Sequence, residues 1–108
     1  MTRFPSFPGS VPGLSALALV AACASPAPEF FGATRSEVTL SGIDFVVFHT
    51  DDRAEVVRMG YLSRPARAAV PALMVQAAEQ VSGCKVRKGS FETSIQGDTG
   101  EARMDLTC

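Results

Sequence analysis

The sequence predicts an α+β fold: a small antiparallel sheet in βββαββ order with one helix packed on one face, a two-layer sandwich. Three observations carry this. Residues 36–62 read as consecutive β-segments with short polar connections. Apolar residues then switch to helical spacing over 71–82, and residues 102–108 alternate strictly between apolar and polar. The 108 residues suffice for one small domain, which the composition places at about 36–108.

In the first β-segment Val38 and Leu40 alternate with polar residues, and Ser41-Gly42 is a turn signal. Ile43 to His49 is apolar in both phases: Ile43, Phe45 and Val47 in one, Val46 and Phe48 in the other. A strand with two apolar faces needs cover on both sides and belongs inside a sheet. Thr50-Asp51-Asp52-Arg53 is a polar turn, and Ala54 to Tyr61 is expected to return as a third strand.

Over residues 64–83 the period changes. Val70, Leu73, Met74, Ala77, Ala78 and Val81 form one helical stripe, with Gln76, Glu79 and Gln80 opposite. Pro71 disfavours a helix interior and disfavours helical backbone at Val70, so the regular helix is expected over 71–82 with an irregular turn at 64–70. Gly83 fits the residue that ends it. Small alanines on the stripe allow a close approach to the sheet. Cys84 and Val86 then share a strand face. Ala102, Met104, Leu106 and Cys108 alternate against Arg103, Asp105 and Thr107, and Gly97-Asp98-Thr99-Gly100 turns the chain between them.

The N-terminal segment has a different character. Residues 1–13 contain Arg3 and no acid, residues 14–22 read LSALALVAA, and small residues follow. This is the layout of a secretory signal peptide, too short to span a membrane as a stable helix. Pro5, Pro8 and Pro12 stop the helix from extending upstream. Two cleavage sites fit. Ala22 and Ala24 suit ordinary signal peptidase, with Ser25 as the new N-terminus. Alternatively, Val20-Ala21-Ala22-Cys23 has an aliphatic residue and two small residues before a cysteine.

That second arrangement resembles the lipobox of bacterial lipoprotein precursors. The resemblance covers residues 1–23, with Val at position 20 where Leu is commoner. It implies that Val20, Ala21 and Ala22 are read by the signal peptidase and that the Cys23 thiol carries a diacylglycerol. The exposed Cys23 amine can take a third chain. Each buried methylene adds about 0.8 kcal/mol, so two or three acyl chains hold firmly where one does not. The implied location is the bacterial cell envelope, facing the periplasm. Ala24 and Ser25 favour the outer membrane over the inner. The segment after Cys23, ASPAPEFFGATR, is rich in Pro, Ala and Ser and reads as a flexible tether over 23–35. Phe30 and Phe31 interrupt it: contact with lipid headgroups near the anchor is one reading, and packing of one of them on the domain edge is the expected one.

The chain has three cysteines. Lipidation of Cys23 leaves Cys84 and Cys108, an even pair in an oxidising compartment, and they are expected to form a disulfide. Closing that loop stabilises the domain by about 3.5 kcal/mol in the chain-entropy model. A metal site or reactive thiol pair lacks the CxxC spacing.

From Cys23 onward nine bases face 11 acids, a net charge of −2. Nucleic-acid binding needs clustered Lys and Arg, and Lys85, Arg87 and Lys88 are too few. They read as a solvated strand edge. No run of about 18–20 apolar residues marks a membrane-spanning helix. His49, the only histidine, ends an apolar strand near Asp51 and Asp52. No second histidine and no nucleophile–base pair accompany it. Asp98-Thr99-Gly100 matches the aspartic-protease tripeptide, but that chemistry needs two such aspartates on apolar strands, and a Gly/Asp turn explains this copy better. No catalytic set, metal site or cofactor motif is assigned. The expected function is that of a small membrane-anchored lipoprotein with a non-catalytic domain that binds another envelope component or supports the envelope. The alternative is a small periplasmic enzyme or inhibitor of exported or cell-wall substrates, for which His49 and Asp51 are the available groups. A third possibility, a ligand between helix and sheet, requires a pocket lined by Phe45, Val47 and Leu73.

Overall fold

Ser41 and Gly42 take φ of 52° and 77°. This pair of positive angles makes the two-residue hairpin turn that matches strand twist. The turn fixes the register of strands β1 (Thr34–Leu40) and β2 (Ile43–His49), which pair antiparallel along their full lengths from Leu40↔Ile43 to Thr34↔His49. The computed structural model describes residues 25–108. The signal peptide and the Val20, Ala21, Ala22 and Cys23 assignments lie outside these residues.

Strand β3 (Arg53–Arg58) returns along β2, and β5 (Glu101–Thr107) pairs with β3. The short β4 (Lys85–Val86) lies on the far side of β5, so the five strands run in the order β1-β2-β3-β5-β4, all antiparallel. This is the expected α+β class. Strand β3 is shorter than the sequence pattern suggests. It ends at Arg58 because Gly60 takes φ of 85°, which leaves Tyr61 89% exposed.

A short 3-10 helix (Pro65–Ala69) leads into helix α1 (Val70–Ser82). Pro71 sits in the first helical turn, where its missing N–H costs no helical hydrogen bond. Gly83 adopts the left-handed conformation that closes the helix, and its N–H donates to the Glu79 carbonyl over 2.9 Å. The buried stripe of α1 is Val70, Met74, Ala77 and Ala78. It packs in one core with Phe45 and Val47 of β2, Val56 of β3 and Met104 of β5. The alanines bring the helix close, and the space that a ligand between helix and sheet would need is filled by this packing. Glu79 is less solvated than its place on the polar face suggests, for its Oε2 accepts the Val86 N–H over 2.9 Å.

Cys84 and Cys108 are joined by a disulfide, with Cα atoms 4.4 Å apart. The bond sits beside the Lys85↔Thr107 pair and ties the end of α1 to the end of β5. Among the described residues no helix is long and apolar enough to cross a membrane.

Candidate functional site

The sheet has two faces of different chemistry because successive side chains alternate. One face carries the core under α1. On the other, the register aligns Arg35, Phe48, Glu55 and Arg103 in one row across β1, β2, β3 and β5. Glu37, Val46, Val57 and Glu101 form the next row, and Arg53 faces Asp105 beyond them. This face is apolar near β2 and charged toward β5.

The segment expected to be a free tether crosses this face. Pro28–Phe30 form a 3-10 turn, and Phe30 is 1% exposed, packed on Val46 and Phe48. The second apolar face of β2 is thus covered by a residue from outside the regular elements. Phe31 points away and is 70% exposed. Packing onto the sheet thus begins at about Ala27, ahead of β1. The apolar side of Phe30 had a vacant surface to cover, whereas a Pro/Ala-rich composition carries no mark of docking.

Polar contacts hold the same strap. The Ala27 N–H donates to Glu55 Oε1 over 2.7 Å. The Glu29 carboxylate lies 3.7 Å from both Arg53 and Arg103. Arg103 also pairs with Glu101 at 3.1 Å and donates to Ser94 Oγ over 2.7 Å, while Arg53 pairs with Asp105 at 2.9 Å. Glu55 is buried at 3% exposure. Burial, followed by a hydrogen bond to the Glu101 carboxyl, pushes Glu55 up to about 7, although the Ala27 N–H and Arg103 act in the opposite direction. Glu55 can therefore hold a proton near neutrality, in a buried position bonded to the strap.

Beyond Phe30 the same face opens into a cleft of about 420 Å³ lined by Arg35, Glu37, Thr39, Asp44, Val46 and Met59, among others. Thr39 Oγ1 donates to Asp44 Oδ1 over 2.6 Å at its rim.

The residues singled out as possible chemistry lie elsewhere. His49 Nδ1 approaches the Thr50 carbonyl at 3.4 Å. Asp52 accepts from Thr50 Oγ1 over 3.0 Å within the β2–β3 turn, and Asp51 is exposed. Among the described residues no three His, Cys, Asp or Glu side chains are grouped to hold a metal. Asp98 Oδ1 accepts the Gly100 N–H over 2.8 Å, the geometry of an Asp-initiated turn. Lys85 is solvated. The Glu55–Glu101–Arg103 cluster is not visible in the sequence, because its members lie on the separate strands β3 and β5. The available signal was charge on the outward phase of β5 beside one acid inside the apolar run of β3. Comparison with models of known protein families, with curated proteins and with solved structures gives no match for this chain.

Proposed function

We propose that this is a small lipid-anchored protein of the bacterial envelope, facing the periplasm, whose domain makes non-catalytic contacts with another envelope component. The observation that carries the reading is the Cys84–Cys108 disulfide. It fits an oxidising compartment and takes up two of the three cysteines. The remaining cysteine is the one that follows Val20-Ala21-Ala22.

The docked strap adds a geometric argument. From Cys23 to Ala27 the chain reaches at most about 14 Å. An acylated Cys23 thus holds the open face of the sheet near the bilayer, where a long free tether would let the domain roam. Phe31 is exposed on that strap, and an aromatic ring beside an anchor suits the headgroup region. The burial of Glu55 under the strap favours a contact-making role over catalysis.

Intact mass of the protein isolated from bacterial membranes tests this reading. A chain beginning at Cys23 and carrying two or three acyl groups is expected. An unmodified chain beginning at Ser25 would replace the reading with ordinary secretion.

A further inference from the structure

We propose that two copies of this chain pair antiparallel through the outer edges of their β1 strands, with Ser36 of each on the two-fold axis. The pairing joins both sheets into one.

The two edges of the sheet are unlike. At one end β4 has two residues, and the chain after it folds back along β5: the Arg87 N–H donates to the Asp105 carbonyl and Glu92 bridges Arg103. At the other end β1 has seven residues, paired with β2 along its whole length. Among the described residues no strand pairs with its other side. Native edges are usually guarded by proline, a bulge, charged side chains (lysine above all) or shortness. Strand β1 (TRSEVTL) has no proline or lysine, is seven residues long and pairs without a bulge, and its two charges, Arg35 and Glu37, are of opposite sign.

The turn dictates which backbone groups face outward. In a two-residue hairpin the residues flanking the turn form a hydrogen-bonded pair, so Leu40, Val38, Ser36 and Thr34 bond inward to β2. The Met59 N–H donates to the Asp44 carbonyl, which places Asp44 in the opposite phase, as this requires. Arg35, Glu37 and Thr39 therefore direct their N–H and C=O groups to the free edge.

Charge selects the register. If Glu37 lay on the axis, it would face its own copy, and like charges directly opposite are unfavourable. With Ser36 on the axis, Arg35 faces Glu37 of the second copy and Glu37 faces Arg35. Both pairs are of opposite charge and hydrogen-bonded, which gives about four main-chain bonds. The axis residue is small, and Thr34 meets Val38 on the helix side. An extended peptide from another protein would meet the same backbone groups, but the Arg35/Glu37 alternation is complementary to itself.

The symmetry also suits an anchored protein. The two-fold axis is perpendicular to the joined sheet, so both straps emerge on one side and both anchors reach one bilayer. The pairing itself does not rest on the anchor.

Single cysteines introduced into the full chain in detergent, with Cys23 replaced by Ser, test the register. Ser36→Cys places two thiols at a non-hydrogen-bonded pair, within disulfide reach. Under mild oxidation it is expected to give mainly cross-linked dimer, and Glu37→Cys essentially none. Separately, Glu37→Arg is expected to weaken dimerisation about tenfold, and Arg35→Glu with Glu37→Arg to restore it. Circular dichroism checks that each variant is folded. Equal cross-linking at both positions, none at Ser36, or failure of the double swap to restore pairing would overturn the proposal. Binding of an added extended peptide by a chain that gives no cross-linked dimer would assign the edge to a different partner.

Discussion

The backbone N–H of Ala27 is bonded to Glu55 Oε1 at 2.7 Å, across 28 residues of sequence. This bond pins the chain just after Cys23 to the middle strand of the sheet. With Phe30 and Glu29 it turns an apparent tether into a part of the fold, and it sets the distance between the proposed anchor and the domain.

Phe30 and Phe31 are adjacent and chemically identical, so they separate docking from composition. Phe30→Ala removes a buried ring from Val46 and Phe48 and is expected to cost about 3 kcal/mol or more. Phe31→Ala should change stability by less than about 0.5 kcal/mol. Urea denaturation of both variants reads the difference. Equal effects would mean that the strap is not held by Phe30.

Glu55 makes stability depend on pH in a defined direction. Its carboxyl titrates at about 7 in the fold against an ordinary value of 4.5. The fold therefore prefers the protonated acid. That contribution is fully present below pH 4.5 and is lost as pH rises toward 7. Glu101 adds to the shift, and Arg103 and the Ala27 N–H oppose it without reversing its sign. Glu55→Gln should flatten the profile, shrinking the stability difference between acidic and mildly basic conditions by about 3 kcal/mol. Chemical denaturation across that range measures it. A profile unchanged by the substitution would show that another group sets the dependence.

The Cys84–Cys108 bond closes the domain at its C-terminal end. Replacing both cysteines with Ser is expected to lower stability by about 3.5 kcal/mol, read by thermal or chemical denaturation. Neither cysteine should react with an alkylating reagent until the protein is reduced.

Much of the fold is legible from local pattern. The stripe from Val70 to Val81 gives the helix, and Gly83 gives its end. Cysteine parity gives the bridge once Cys23 is set aside. The double apolar phase of Ile43–His49 requires cover on both faces of β2, but it does not name Phe30 as the second cover. That contact, like the meeting of Glu55 with Glu101 and Arg103, depends on strand register and on chain folding back from a distant segment. His49 and Asp51 drew attention through residue type alone. At the end of β2, His49 lies against the Thr50 carbonyl, while Asp51 in the following turn is exposed.

The direct test of the anchored-domain account is the fate of Cys23→Ser in bacteria fed a labelled fatty acid. The unaltered chain is expected to carry label and to sediment with membranes. The variant should lose the label and appear in the soluble fraction with its Cys84–Cys108 bond intact. Label retained by the variant, or membrane association undiminished without Cys23, would contradict the account.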